Sequence, residues 1–213
     1  LALRSNQMIK RVLDIVLSII GIIALSPVLI GIAIAVKMDS KGPAIYKSQR
    51  VGKNHKAIGV YKFRSMVVNA DEVLQKVLAE NPEARKEFNE YYKLKDDPRI
   101  TKIGDFLRKT SLDELPQLIN VIKGDMSLVG PRPERPFFVE QFIKEKPEYA
   151  YRHNVKPGIT GLAQIAGKYN TTAYDKLVYD LIYIQNISVM YDLTLMLQTL
   201  KVLITKESTE GVK

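Results

Sequence analysis

Apolar residues dominate one unbroken stretch of this chain. Residues 15–36 read IVLSIIGIIALSPVLIGIAIAV and carry no charge. As a helix that stretch is about 33 Å long, close to the thickness of a bilayer hydrocarbon core. A buried helix of a soluble protein normally keeps a polar stripe, and none is present here. A cleaved signal peptide is a poor match, because the apolar run is too long and lacks a convincing small-residue cleavage site. Lys10 and Arg11 precede the stretch; Lys37, Lys41, Lys47, Arg50 and Lys53 follow it. Basic residues at both ends leave no charge imbalance to orient a simple span. Ser26-Pro27 sits midway, and proline removes a helical hydrogen bond and can kink a helix. Together these features predict a re-entrant membrane helix over residues 1–40 that enters and leaves on one face. A compact domain packed on the membrane surface is expected over 41–213.

Past the apolar stretch the pattern changes. Residues 43–63 read as a β-hairpin, with Ala44-Ile45-Tyr46 and 58–63 as strands and Gly52-Lys53-Asn54-His55 as the turn. Asn69-Ala70-Asp71-Glu72 resembles a capping box opening a helix that stops before Pro82. A charged helix is predicted over 82–93, a loop at Asp96 to Arg99, and a short helix or turn over 103–109. Residues 137–144, 174–184 and 188–205 carry helical spacing, while Lys156 to Gly161 reads as a turn-rich loop. In the last helix, Val189, Met190, Leu193, Leu197, Leu200 and Ile204 recur on one face. Core packing is the favoured reading of that face, and a helix lying on the membrane is the alternative. The tail after Thr205 is expected to fray. The fold class is therefore mainly α with a small β-hairpin (α+β), with interfacial helices around a compact domain.

Charge sharpens the picture. Residues 1–64 hold 11 Lys and Arg against two acids, Asp14 and Asp39, whereas residues 65–213 are electrically balanced at 21 against 21. A basic excess at one end points to a local anionic partner. Beside an apolar segment, that partner is anionic lipid rather than nucleic acid, whose binding face should be basic in the folded domain. Cysteine is absent, which excludes disulfides and thiolate metal sites. His55 and His153 read as ordinary surface or loop residues.

The chemistry concentrates at Asp113-Glu114, in the run Lys109-Thr110-Ser111-Leu112-Asp113-Glu114-Leu115-Pro116-Gln117. Ser111 to Glu114 fits a capping box, and acids favour a first helical turn, so capping alone would account for both carboxylates. It leaves the flanking cations unexplained: Arg108 and Lys109 before, and Gly130-Pro131-Arg132-Pro133-Glu134-Arg135 after. Two carboxylates among arginines suit phosphate chemistry, because Arg makes bidentate phosphate contacts. Asp113, placed near a helix N-terminus, is expected to stay ionised. Lys62, Arg64, Arg108 and Arg132, with Pro131 and Pro133 stiffening the last, are candidate phosphate or nucleotide binders. The structural alternatives are a solvated strand face for Lys62 and Arg64 and a rigid surface turn for Arg132.

Several motifs in order then carry a resemblance. The basic-flanked apolar helix with Ser26-Pro27 is followed by Tyr61-Lys62-Phe63-Arg64-Ser65-Met66 and by Asp97-Pro98-Arg99-Ile100-Thr101. The Ser111 to Gln117 run and Gly124-Asp125-Met126-Ser127-Leu128-Val129-Gly130-Pro131-Arg132-Pro133 complete the series. The whole is similar to the bacterial sugar transferases, monotopic polyprenyl-phosphate phosphoglycosyl transferases. The resemblance implies transfer of a sugar-1-phosphate from a UDP-sugar to undecaprenyl phosphate with release of UMP. That step would open capsule, exopolysaccharide or glycoprotein glycan assembly at the cytoplasmic face of the bacterial inner membrane. It further implies Mg²⁺ at Asp113 and Glu114, with Asp113 as the nucleophile that forms a covalent phosphosugar intermediate. Glu114 is left to metal positioning or proton transfer. Val155 to Gln164 resembles members with an extra N-terminal multi-span region, an expectation that fits a first residue of Leu rather than Met. The implied partners are undecaprenyl phosphate, the UDP-sugar and membrane lipids, without nucleic acid; pairing with a second copy is left open. The non-enzymatic alternative is a membrane-tethered scaffold of glycan assembly.

Overall fold

A computed structural model describes residues 4–167 and 172–205. Helix α1 (Arg4–Asp39) continues through Pro27, where Ser26 Oγ donates to Ile23 O at 2.8 Å. Helix α1 presents a long apolar face outward, including Met8, Val12, Val16, Ile19, Ile23, Val28, Ile30 and Ile34. Its other side is fastened to the domain at both ends. Near the start, Lys10 Nζ donates to Val129 O at 3.2 Å and pairs with Asp192. Arg11 donates to Val121 O and Ile122 O at 2.6 and 2.9 Å. Asp14 accepts from Ser127 Oγ and Leu128 N at 2.8 and 3.1 Å. Near the end, Leu29, Ile32, Ala33 and Val36 pack on Phe63 and Leu107, and Asp39 Oδ2 accepts from Ile103 N at 3.0 Å.

The hairpin forms as its alternation predicts. Strand β1 (Ile45–Val51) pairs antiparallel with β2 (Ala57–Phe63), and the register sets Tyr46 opposite Lys62. The turn Lys53–His55 is a 3₁₀ helix in which Asn54 and His55 take positive φ. Helices α2 (Ala70–Glu80) and α3 (Pro82–Tyr91) follow. Asn69 makes no side-chain cap, contrary to its sequence pattern. Asn81 instead accepts from Glu83 N and Ala84 N at 3.0 Å each, with Pro82 pre-set at the first helical position. Helix α4 (Lys102–Lys109) is capped by Thr101, whose Oγ1 accepts from Gly104 N at 3.0 Å.

Helix α5 (Gln117–Lys123) ends at Gly124 with φ 91°, the left-handed turn that glycine makes without strain. Strand β3 (Ser127–Val129) lies parallel to β4 (Gly158–Thr160), pairing Ser127 with Gly158 and Val129 with Thr160. The stretch 156–161 is thus a strand partner rather than only a loop. Helix α6 (Pro136–Glu145), a 3₁₀ segment (Pro147–Asn154), α7 (Leu162–Ala166), α8 (Ala173–Gln185) and α9 (Val189–Thr205) complete the order. The class is mainly helical α+β, as expected.

The face of α9 is reversed from expectation. Met190, Leu193, Leu197 and Leu200 are exposed, while Tyr191, Leu195 and Met196 pack on Val129 and Tyr183. The cause is polar. Asp192 and Thr199 turn inward because their partners, Lys10, Tyr183 and Thr160, are inside. Periodicity finds two faces and cannot say which one is wet. The side chain of Ile204 and the tail after Thr205 lie outside the described residues.

Gly104 shows how tightly α4 is set. A Cβ there would fall 2.0 Å from Ser65 O and 2.6 Å from Ser65 C, both backbone atoms. Gly104→Ala should therefore cost roughly 1–3 kcal/mol by overpacking. That is a fall of several degrees in the unfolding midpoint followed by circular dichroism in detergent. An unchanged midpoint would mean that α4 sits looser than described.

Candidate active site

The two carboxylates do not open an α-helix. Leu112–Glu114 is a single 3₁₀ turn between α4 and α5, and Ser111 before it takes φ 57° and makes no capping bond. Helix α5 begins only at Gln117, after Pro116. The capping-box reading of Ser111 to Glu114 is therefore corrected. The left-handed Ser111 and the following turn swing the pair toward β2 instead of leaving it along a helix axis.

Glu114 is saturated with cations. Lys62 Nζ donates to its Oε1 at 2.6 Å, and Arg132 donates to Oε1 and Oε2 at 2.8 and 3.4 Å. Burial alone would raise its pKa, but Arg132 and Lys62 outweigh that and hold it at about 2. Asp113 differs. Only 8% of it is exposed, its Oδ2 lies 3.9 Å from Lys62 Nζ, and among the described residues no donor is hydrogen-bonded to its carboxylate. Burial pushes its pKa up, Lys62 opposes, and the neighbouring Glu114 adds to the rise. No α-helix terminus faces Asp113, so burial rather than a helix dipole sets the direction of its shift. Two adjacent carboxylates are thus driven in opposite directions, an arrangement that separates roles.

The supporting frame is built from buried polar groups. Asn120 on α5 is fully buried; its Oδ1 accepts from Tyr61 N at 2.9 Å and its Nδ2 donates to Gly59 O at 2.8 Å. That clamp fixes β2 on either side of Val60 and so places Lys62 against the dyad. Arg108 on α4 donates from Nε to Ser65 Oγ at 2.8 Å and lies within electrostatic reach of Asp113. Arg132 is 46% exposed along its side chain, so one face remains open to an incoming anion. Pro131 and Pro133 flank it and line a small cavity with Val51, Gly52, Arg152 and His153. Gly130 has no room for a side chain, since a Cβ would meet Lys156 O at 2.5 Å.

The structure therefore gathers Lys62, Arg108, Asp113, Glu114 and Arg132, with Pro131 and Pro133 at the edge. Arg64 does not join them. It is buried and donates to Pro43 O at 2.7 Å, Ser40 O at 2.8 Å and Val36 O at 3.4 Å, closing the end of α1. Its expected role as a substrate binder is corrected: it satisfies helix-end carbonyls. His153 is likewise no surface residue. It is buried against His55, ring centroids 4.6 Å apart, and burial with Arg152 nearby lowers its pKa to about 4. Sequence reasoning missed Asn120, Arg152 and Asp180. Apart from Tyr149, three residues before Arg152, their side-chain partners lie 20 to 61 residues away, and nothing local marks them.

The Mg²⁺ implied for Asp113 and Glu114 fits a site that the protein only half supplies. No cluster of three His, Asp or Glu side chains suited to a metal occurs among the described residues. One or two carboxylates completed by substrate phosphate oxygens is the usual Mg²⁺ arrangement, and the open Asp113 carboxylate beside Glu114 matches it.

Similar proteins point the same way. The family model described as bacterial sugar transferase matches residues 5–206. The undecaprenyl-phosphate galactose phosphotransferase of Salmonella typhimurium is 48% identical over 208 residues, covering 97% of this chain and 43% of that protein. The UDP-glucose:undecaprenyl-phosphate glucose-1-phosphate transferase of Klebsiella pneumoniae is 45% identical over 201 residues, covering 91% and 40%. The exopolysaccharide production protein ExoY of Sinorhizobium fredii is 40% identical over 191 residues, covering 90% and 83%. The chain thus spans about two fifths of the first two relatives.

Glu114 carries a pH signature. Its depressed pKa means that its ionised form stabilises the fold above the ordinary carboxylate range, and that stability is lost as pH falls toward about 2. Glu114→Gln should unfold more easily at pH 7 by about 1–3 kcal/mol, discounted for the exposed side of Arg132. In urea titrations the gap from wild type should close as pH is lowered from about 5 to about 2. A gap independent of pH would contradict the ion pairing.

Proposed function

This chain belongs to the bacterial sugar transferase family, and on that footing we propose that it moves a sugar-1-phosphate from a UDP-sugar to undecaprenyl phosphate. The two relatives named for undecaprenyl-phosphate transfer supply the substrate class. The observation that carries the mechanism is the contrast within the dyad: a carboxylate with no hydrogen bond among the described residues at Asp113 beside one locked by two cations at Glu114.

Asp113 attacks the phosphorus that bears the sugar. A new carboxyl–phosphorus bond forms, the bond to the bridging oxygen breaks, and UMP leaves with that electron pair. A phosphate oxygen of undecaprenyl phosphate then attacks the same phosphorus. The carboxyl–phosphorus bond breaks, Asp113 is regenerated and the lipid carries a sugar diphosphate. Raising the basicity of Asp113 by burial makes it a better nucleophile, and fixed cations offset the repulsion between anions. Lys62 and Arg132, tethered to Glu114, face the diphosphate. Arg108 approaches from α4 on the side of Ser65. Mg²⁺, held by the dyad together with the diphosphate, would neutralise phosphate charge.

The same reading places α1 as a re-entrant helix, with residues 1–40 in the membrane and 41–213 on its cytoplasmic face. Both ends of α1 are bonded to one body, through Lys10, Arg11 and Asp14 at one end and Asp39 at the other. A helix that crossed the bilayer would leave one of those ends without its partners. The exposed stripe Met190, Leu193, Leu197 and Leu200 on α9 adds a second surface for lipid. Its neighbourhood with α1 is direct, since Leu13 and Leu17 share a groove with Val189, Leu193 and Met196. The product would begin a capsule, exopolysaccharide or glycoprotein glycan.

Two experiments test the reading. In detergent with Mg²⁺, wild type should release no more than about one UMP per enzyme from a UDP-sugar alone and turn over repeatedly only when undecaprenyl phosphate is added, and Asp113→Asn should lower turnover by roughly three orders of magnitude. With donor alone, intact mass spectrometry should find one phosphosugar on wild type and none on Asp113→Asn. An Asp113→Asn protein as active as wild type would leave a scaffold as the better description. For topology, the chain contains no cysteine, so Gln7→Cys and Lys41→Cys give single-site probes. Both should react with an impermeant maleimide from the cytoplasmic side of sealed vesicles, and labelling of only one would sink the re-entrant helix.

A further inference from the structure

Arg132 sits between two prolines, which changes how its loop can be held. Pro131 and Pro133 have no N–H, so the loop loses two backbone donors and is fastened mainly through its carbonyls. Pro131 O accepts from Gly158 N at 2.9 Å. Arg132 O accepts from Arg152 Nη2 at 2.7 Å. Arg152 is 5% exposed, and its remaining donors are directed too. Nε and Nη2 face Asp180 Oδ2 at 3.1 and 2.9 Å, and Nη1 donates to the Tyr149 hydroxyl, beneath whose ring the guanidinium lies at 4.9 Å.

Asp180 is on α8, and so is Tyr183 three residues on. The two share one helix face, and each is 2% exposed. Tyr183 OH lies 3.0 Å from Val129 O and 2.8 Å from Asp192 Oδ1. Val129 O also accepts from Lys10 of α1. One face of α8 therefore grips the loop at both ends, at Val129 through Tyr183 and at Arg132 through the Asp180–Arg152 pair. A buried ion pair is weak evidence of stabilisation, since apolar replacements of both partners are often neutral. Arg152 forks onto Asp180 and spends Nη2 on the carbonyl of Arg132, one of the two residues that hold Glu114, and that direction calls for a different explanation.

We propose that Arg152 and Asp180 are positioning residues: they fix the backbone of Arg132 so that its guanidinium stays on Glu114 and faces the donor diphosphate. The inference deepens the transfer reading and rests on it for the identity of the anion, but its geometric part does not. Without the pair, the Pro131–Pro133 segment keeps the Gly158 anchor and loses the one at Arg132. The side chain then samples positions away from Glu114. Misplacement of a phosphate-binding group by about 1 Å costs on the order of 100-fold in rate.

The test uses the full chain in detergent. Arg152→Met/Asp180→Leu removes both charges and avoids leaving either one buried and unpaired. It should unfold within a few degrees of wild type. Glu114, read by ¹³C-carboxyl NMR without Mg²⁺ and assigned with Glu114→Gln, is expected at about 2 in wild type and should rise by about one unit or more in the double variant, because the Arg132 guanidinium lies beside it less of the time. UMP release should fall by about ten- to hundred-fold. Once Arg132→Ala is in place, the same double change should cost no more than about twofold, because the residue it acts through is gone. A Glu114 titration identical to wild type, or a rate loss that adds in full to that of Arg132→Ala, would overturn the proposal. If the double variant fails to fold, Arg152→Lys retains a charge on Asp180 without the fork, and the same shift in Glu114 is expected. The carboxyl titration needs no turnover, so a wild type that releases no UMP would sink the transfer reading and leave this one still decided.

Discussion

A single carboxylate shared between two cations holds the candidate site in register. Glu114 takes Lys62 from the hairpin and Arg132 from the loop after β3, and those elements have no strand pairing with each other. A buried carboxylate is costly unless its partners are close and directed. Here both cations supply hydrogen bonds, which offsets that cost and ties three separate segments to one point. The consequence falls on Asp113, the residue next in line. With Lys62 committed to Glu114 at 2.6 Å and standing 3.9 Å from Asp113, Asp113 feels its cations only at a distance, and burial prevails over them. An anion entering this site would meet a group of cations already oriented and the carboxylate of Asp113, which holds no hydrogen bond among the described residues.

The apolar helix obeys a related rule. Its outward face is hydrophobic along its whole length, yet its fixed points are polar: Lys10, Arg11 and Asp14 at one end and Asp39 at the other. Charged groups at the border of an apolar phase require internal partners. Those partners are mostly backbone groups of β3, α4 and α5, the elements that frame the dyad, joined by the Ser127 hydroxyl and by Asp192 of α9. The seat of the helix and the geometry of the site are therefore set by overlapping atoms. Arg64, just past the end of β2 and two residues from Lys62, belongs to the same logic: the strand sends Lys62 to the carboxylates, and its continuation sends Arg64 to the end of α1.

Much of this was legible from residue order, and the failures share a cause. The long helix, the hairpin, most helix limits and the Asp113-Glu114 pair announce themselves through periodicity, turn residues or adjacency in sequence. What escaped depends on contacts distant in sequence. Asn120 bridges to a strand some 60 residues earlier, and Arg152 reaches Arg132 across 20 residues and Asp180 across 28. The Ser111 cap failed because a left-handed residue produces a 3₁₀ turn from the same letters that would open a helix. The outward stripe of α9 failed because inward polar residues invert the usual assignment of faces when the outside is apolar too. In each case the local signal was correct in kind, and a partner elsewhere chose between its two outcomes.

The position of Val129 connects the two halves of the molecule most directly. Its carbonyl lies against Lys10 of α1 and Tyr183 of α8 at once, and it stands three residues before Arg132. Lys10 and Tyr183 also meet at Asp192 of α9. This buried junction joins the helix with the longest apolar face to the helix with the second apolar stripe, and both to the strand that leads into the arginine loop. A displacement of α1 large enough to withdraw Lys10 would leave the charge of Asp192 without its cation, in a place where burial already raises its pKa. Such a penalty favours keeping the junction closed. The loop is therefore fully braced only when α1 and α9 lie together, the arrangement in which their apolar faces form one surface.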